Sequence, residues 1–171
     1  MIARPIWGLA TALATGLTLA PAIAPPPPRL LWNATASMPV GLYAVRPIRR
    51  LQVGQIVVVR PPERLARYLD RREFLPYGLP LLKPIAALDG DVVCRRGRAV
   101  SINDRSQALA LERDHLGRPL PVWQGCRRLA ANDMFLLIPS QRTSLDGRYF
   151  GVLPTRTIVG AAAPLWLPRK P

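Results

Sequence analysis

The chain of 171 residues contains very little lysine. It has 24 Lys plus Arg residues, but only Lys83 and Lys170 are lysines, and Lys170 is next to last. An arginine stays protonated in proteins, whereas a lysine that is removed from water can lose its proton. Lys83 lies in the apolar run 79–88 (LPLLKPIAAL), which favours a neutral amine that can act as a base. The alternative is a lysine on an edge strand whose charged end reaches solvent.

Histidine is scarcer still, because His115 is the only one. A Ser-His-Asp triad would have to use it, but it lies in the polar segment 112–117 (ERDHLG), which is typical of a solvated loop. Neither a glycine-rich phosphate loop nor a paired-carboxylate site stands out. A serine nucleophile in this chain would therefore need a different base, and a neutral lysine is the known alternative.

Acidic residues number only 10, which leaves a formal net charge of +14, and aromatic residues make up only 6%. A basic excess suits an anionic partner, such as phospholipid head groups, nucleic acid or an acidic protein. The arginines are scattered, which is equally consistent with a compositional bias toward Arg. The aromatic residues that could stack on bases are dispersed, so no specific nucleic-acid partner is expected. A membrane-tethered, basic nucleic-acid-binding β module remains the non-enzymatic alternative.

No charged residue occurs between Arg4 and Arg29. The 19 residues 6–24 (IWGLATALATGLTLAPAIA) would span about 28 Å as a helix, close to the thickness of a hydrocarbon core. Arg4 favours an N-terminus on the cytoplasmic side, which would put the rest of the chain outside the cytosol.

A cleavable signal peptide is the alternative, since Ala22-Ile23-Ala24 offers an A-x-A cleavage site. Pro25 follows at once and makes a poor residue after a scissile bond, so we expect an uncleaved anchor and a stiff spacer over 25–28. The prediction is an anchor and spacer over 1–28 and an extracytoplasmic domain over 29–171.

The chain has two cysteines, Cys94 and Cys126. Outside the cytosol such a pair is more often a disulfide than two free thiols. Their spacing fits no zinc or CxxC pattern, so we predict a disulfide and neither a metal nor another cofactor.

From Leu31 onward the hydrophobic pattern predicts a mostly β fold with one short surface helix. The Pro-Pro and Asp-Gly pairs mark the ends of several segments. The predicted strands are 40–45, 56–59, 81–87, 91–94 and 134–138, with a hairpin arm over 99–105, a strand-like segment over 149–160 and the helix over 63–74.

Two serines lie in dense motifs. Ser37 lies in 33–43 (NATASMPVGLY), and Ser144 lies in 143–151 (TSLDGRYFG). Together with the N-terminal apolar segment and Lys83 followed by 90–93 (GDVV), these blocks resemble the type I signal peptidase family in order. The adjacent Met38 and Pro39 are most similar to its conjugative-transfer branch, the TraF peptidases.

The resemblance implies a signal-peptidase-like β-fold catalytic domain behind one N-terminal transmembrane helix. It identifies Ser37 as the nucleophile and Lys83 as the general base, which agrees with the argument from the residues alone. The oxyanion would be held by the backbone N–H of Ser37 and the hydroxyl of Thr35.

The same resemblance implies that Ser144 orients the lysine amine and that Asp146 and Arg148 form an ion pair. Gly147 departs from the family, which usually has serine at this position. A carboxylate close to Lys83 would raise the pKa of its amine, so Asp146 should keep its distance.

The implied substrate is an exported or membrane-inserted precursor, bound as an extended strand beside Pro80, Leu81 and Leu82, with Met38 and Pro39 completing the site. Small residues such as alanine should precede the cleaved bond. In the conjugative branch the substrate is a pilin precursor, whose product is cyclised.

The implied location is the inner membrane, in contact with its lipid, with the catalytic domain in the periplasm. A general secretory signal peptidase and a self-cleaving Ser–Lys repressor are the enzymatic alternatives, although the repressor would need a DNA-binding segment that this chain lacks.

Overall fold

A computed structural model describes residues 3–23 and 29–168. The fold is mostly β, as predicted, with few helices. The helices are α1 (Ala3–Ile23), α2 (Glu63–Arg71) and α3 (Gly147–Phe150). The strands are β1 (Leu30–Asn33), β2 (Gly41–Arg46), β3 (Ile56–Val59), β4 (Leu81–Ala87), β5 (Val92–Arg96), β6 (Ala99–Ile102), β7 (Arg105–Leu109), β8 (Gly125–Arg128), β9 (Asp133–Leu136), β10 (Leu153–Pro154) and β11 (Ile158–Trp166).

The strands form two antiparallel sheets. The larger has seven strands in the order β1-β2-β11-β3-β4-β9-β10, and the smaller has four in the order β7-β6-β5-β8. Strand β3 lies inside the larger sheet, and its Val57, Val58 and Val59 are fully buried. This explains why the segment reads as an unbroken β-branched run rather than as an alternating pattern.

Strand β4 is paired differently along its length. Leu81 to Pro84 pair with β3 on one side, but β9 pairs only with Ile85 and Ala87 on the other. In the described part of the chain, the first half of β4 therefore keeps one edge without a strand partner, and Lys83 lies in that half.

The smaller sheet carries the predicted disulfide. Cys94 in β5 lies directly opposite Cys126 in β8, and the two sulfur atoms are bonded at 2.06 Å. Strand β8 is exposed along its length at the edge of this sheet, and the disulfide adds a covalent link between it and β5.

The predicted boundaries at Tyr149 and Phe74 were wrong, whereas those of the predicted strands 40–45, 56–59, 81–87, 91–94 and 134–138 lie within two residues of the observed ones. Tyr149 does not begin a strand, because Asp146 accepts a hydrogen bond from the backbone N–H of Arg148 and starts the helical turn α3. The helix predicted to reach Phe74 ends at Arg71, and Glu73 then takes a positive φ of 59° that ends the helical path.

The N-terminal apolar segment is helical over Ala3–Ile23. Among the helices within 3–23 and 29–168, none is both long and apolar enough to cross a membrane. The transmembrane anchor therefore stays a prediction. The spacer 25–28 and Lys170 lie outside the described residues.

Candidate active site

Ser37 lies in the loop 34–40 between β1 and β2, and Asn33 organises this loop. Asn33 is only 5% exposed, and its Nδ2 donates hydrogen bonds to the carbonyl oxygens of Thr35 at 3.0 Å, Met38 at 3.1 Å and Pro39 at 3.0 Å. Its Oδ1 accepts from the backbone nitrogen of Thr35 at 3.2 Å and from its hydroxyl at 2.7 Å. One buried amide thus fixes the loop on both sides of Ser37.

Sequence reasoning missed Asn33. The available signal was an asparagine at the end of a strand just before a run of small residues, where Asn commonly bonds to backbone two residues on. Nothing in the sequence indicated that the same amide would also reach the Met38 and Pro39 carbonyls.

The predicted nucleophile is half-buried at the bend of this loop. Ser37 Oγ lies 3.3 Å from Thr35 Oγ1. Gln141, from a loop distant in the sequence, donates from Nε2 to the carbonyl oxygen of Ala36 at 3.0 Å. Gln141 is a second residue that sequence reasoning missed, because a contact across 105 positions leaves no local pattern.

Lys83 is buried, with 3% of its surface exposed. Its Nζ donates a hydrogen bond to Ser144 Oγ at 2.9 Å, which joins two of the predicted site residues across 61 positions. Burial lowers the pKa of the Lys83 amine from 10.5 to about 8, although the negative charge of Asp146 raises it and the positive charge of Arg148 lowers it as smaller effects. A substantial fraction of the amine is therefore neutral near pH 8.

Asp146 and Arg148 form the predicted ion pair, and both are buried. The guanidinium binds the carboxylate with two hydrogen bonds, Nε to Oδ1 at 2.8 Å and Nη2 to Oδ2 at 3.0 Å. Both also bond to the backbone of Ile138, whose nitrogen donates to Asp146 and whose carbonyl accepts from Arg148. The pair therefore holds the segment carrying Ser144 against the strand end beside it.

Gly147 fits tightly against β9. A Cβ at this position would lie 2.7 Å from the carbonyl oxygen of Leu136 and 2.7 Å from the ring of Phe135. Contacts this short would force backbone or a buried ring to move. In this chain the space of the missing side chain is occupied by Phe135.

Several predicted residues line one cavity of about 330 Å³, here called the Ser37–Lys83 cavity. Part of its apolar wall comes from α2 and the turn after it, through Leu69, Phe74 and Leu75. No hydrogen bond joins Ser37 to Lys83 among the described residues. The predicted residues in the lining are Thr35, Ser37, Pro80, Leu81, Leu82, Lys83 and Ser144.

The remaining predicted residues lie elsewhere. Met38 and Pro39 line a second groove, which also borders Ser37. Asp146 and Arg148 lie outside the lining of the Ser37–Lys83 cavity. His115 lines a different, small cavity of about 90 Å³ beside Tyr149. In the described ranges, no group of three His, Cys, Asp or Glu side chains is placed to hold a metal ion.

The family described as "Signal peptidase, peptidase S26" matches residues 3–166 of this chain. The chain therefore belongs to this family, and it is a serine peptidase of the signal peptidase type. This confirms the resemblance drawn from the four sequence blocks.

Its relatives point to the conjugative branch. The probable conjugal transfer protein TraF of Sinorhizobium fredii (strain NBRC 101917 / NGR234) is 36% identical over 141 residues, covering 76% of this chain and 73% of that protein. The plasmid transfer protein TraF of Escherichia coli is 31% identical over 147 residues, covering 78% and 80%. A crystal structure of a signal peptidase I from Enterococcus faecalis V583 aligns with 67% of this chain and 97% of its own, at a TM-score of 0.39 and 19% identity.

Proposed function

We propose that this protein is a membrane-anchored serine endopeptidase that processes an exported precursor, the pilin precursor of a conjugative transfer system, through Ser37 and Lys83. The observation that carries the proposal is the hydrogen bond from buried Lys83 to Ser144 in a cavity that Ser37 also lines. The relatives named as conjugal and plasmid transfer proteins support the choice of substrate.

In this mechanism the neutral Lys83 amine accepts the hydroxyl proton of Ser37 while Ser37 Oγ attacks the scissile carbonyl carbon. The ammonium then returns the proton to the departing amine, which leaves an acyl group on Ser37. Water attacks the acyl-enzyme, with the amine again taking a proton, and the free serine is restored. If the N-terminal amine of the acylated peptide attacks in place of water, Ser37 Oγ leaves, the two ends of the peptide are joined by an amide bond, and the product is cyclic.

The pKa of about 8 suits this role, because a base works best when its pKa is near the working pH. Ser144 contributes by accepting one N–H of the amine at 2.9 Å. With that hydrogen fixed, the lone pair of the neutral amine has fewer orientations to sample and can be directed toward Ser37.

The oxyanion is assigned to the backbone N–H of Ser37 and the hydroxyl of Thr35. In the free protein that hydroxyl donates to Asn33 Oδ1 at 2.7 Å while it lies 3.3 Å from Ser37 Oγ. Its role requires the hydroxyl proton to turn from Asn33 to the oxyanion when the tetrahedral intermediate forms.

The precursor is proposed to bind as an added strand along the first half of β4. The edge of Leu81 to Lys83 that faces away from β3 has no strand partner in the described fold, which supports this mode. Small residues such as alanine are expected before the cleaved bond. The proposal keeps an anchor and spacer over 1–28 in the inner membrane and a periplasmic domain over 29–171.

The test is co-expression of the full chain with a candidate pilin precursor, followed by mass measurement of the product. Ser37→Ala and Lys83→Ala should each abolish processing, while Ser106→Ala, a matched change at an exposed serine in β7, should leave it intact. A product lighter by one water than the linear trimmed peptide would indicate cyclisation. Processing that continues in the Ser37 and Lys83 variants would contradict the proposal.

A further inference from the structure

A second groove adjoins Ser37, and its lining includes no charged side chain. It has a volume of about 740 Å³ and shares only Ala36, Ser37 and Gln141 with the Ser37–Lys83 cavity. Both volumes lie in the range of binding pockets, about 300–1,000 Å³. The groove is called here the Leu167 groove.

Three separate segments build the Leu167 groove. Met38, Pro39 and Val40 come from the loop of the nucleophile, Ile138 and Ser140 from the segment after β9, and Leu167 with Pro168 from the segment after β11. Val40 is 39% exposed and Leu167 is 41% exposed, so both apolar side chains are accessible from solvent.

Gly41 explains why the segment after β11 can form one wall. A Cβ at Gly41 would collide with the carbonyl oxygen of Trp166 and would lie 2.8 Å from Leu167 Cδ2. A larger residue would therefore push Leu167 away from the loop of the nucleophile. The glycine that follows Met38-Pro39-Val40 is needed for this close approach and not only for the turn.

We propose that the Leu167 groove binds the leaving side of the substrate, meaning the residues just after the cleaved bond, and selects uncharged apolar residues there. This inference rests on the proposed function. If the acyl side of the peptide lies along β4 in the Ser37–Lys83 cavity, the Leu167 groove offers the rest of the chain a path beyond Ser37, because both volumes border Ser37. A charged residue there would lose water without gaining an oppositely charged partner in the lining.

Gln141 lies between the two volumes and lines both. Its hydrogen bond to the Ala36 carbonyl at 3.0 Å holds the residue before the nucleophile where the cavity and the groove meet. Ser37 lines both volumes as well, so a substrate that extends from one into the other can place its cleaved bond at Ser37.

The test uses the full-length protein and three peptides that share an Ala-x-Ala acyl side. They differ only in the two residues after the cleaved bond, which are Leu-Leu, Lys-Lys or Asp-Asp. The wild type should cleave the Leu-Leu peptide with a kcat/KM about tenfold above either charged peptide, a typical size for discrimination by a hydrophobic pocket.

Leu167→Asp should reverse this preference by lowering kcat/KM for Leu-Leu about tenfold and raising it for Lys-Lys. Leu165→Asp is the matched control, since Leu165 is 56% exposed on the same chain end but outside the lining, and it should keep the wild-type preference. Val40→Asp should change the preference in the same direction, because Val40 lines the same groove from the loop of the nucleophile. A gain on Lys-Lys is a readout that general loss of folding would not produce.

The outcomes separate the two proposals. Cleavage of all three peptides at equal rates by the wild type, or an unchanged preference in both groove variants, would overturn the groove assignment and leave the peptidase proposal standing. Cleavage that persists in Ser37→Ala would overturn the proposed function. Failure of the wild type to cleave any of the peptides would contradict both.

Discussion

Burial of the protonated Lys83 amine should lower the free energy of unfolding at neutral pH, and Lys83→Met should raise it again. The drop of the amine pKa from 10.5 to about 8 corresponds to a penalty of roughly 3 kcal/mol for the protonated form. Methionine has a similar length and no charge, but it gives up the hydrogen bond to Ser144, which costs about 1 kcal/mol. The variant should therefore be more stable by about 2 kcal/mol at pH 7, while its peptidase activity is lost.

The pH dependence gives this prediction its sign. The folded-state pKa lies below that of the unfolded chain, so between pH 8 and 10.5 the unfolded state holds a proton that the folded state has released. The penalty is therefore fully present below pH 8 and is relieved as the pH rises toward 10.5. The advantage of Lys83→Met should shrink over that window.

The assay is urea-induced unfolding, followed by tryptophan fluorescence, at pH 7.0 and pH 9.5. Lys170→Met is the matched control, because it removes the only other lysine. A Lys83→Met protein that is less stable than the wild type at pH 7 would refute the claim that burial destabilises the protonated Lys83 amine. A stability difference that is the same at both pH values would refute it as well.

Asn33→Asp keeps the oxygen that accepts hydrogen bonds from Thr35 but loses the N–H donors to the loop. Its kcat should therefore fall at least tenfold, with a smaller change in KM. Asn103→Asp, at an exposed turn, is the control, and an equal effect of that variant would argue against a specific role of Asn33. Replacing Cys94 and Cys126 together by alanine should lower the free energy of unfolding by about 4 kcal/mol, because the bond closes the loop between residues that are 32 positions apart. Denaturation midpoints of the two proteins, measured without reductant, check this, and equal midpoints would contradict it.

The sequence was most informative where the type of a residue and its neighbours allowed only a few environments. A lone lysine among leucines indicated a buried amine, and the β-branched run at 56–59 indicated a buried strand; the structure has both. The paired cysteines likewise indicated the disulfide. The environments of the lysine and the strand are set mainly by their immediate neighbours in the sequence, whereas the disulfide was indicated by the predicted location outside the cytosol.

What could not be predicted depends on contacts between distant segments. The hydrogen bond of Gln141 to Ala36 and the wall that Leu167 forms beside Gly41 arise only after the sheet has brought these segments together. The helical turn after Asp146 was missed for another reason, because Tyr149 and Phe150 have strand propensity but the cap overrides it. Propensity is a weak guide where a side chain satisfies the backbone locally.

The central claim is that the neutral amine of Lys83 activates Ser37, and the pH dependence of kcat/KM tests it most directly. Measured with an Ala-x-Ala peptide substrate between pH 6 and 9.5, kcat/KM should rise about tenfold per pH unit at low pH and level off above an apparent pKa near 8. Lys83→Arg, which keeps the charge but cannot supply a neutral base, should show no activity at any pH in this range. A wild-type profile that is flat from pH 6 to 9.5, or substantial activity in Lys83→Arg, would contradict the account.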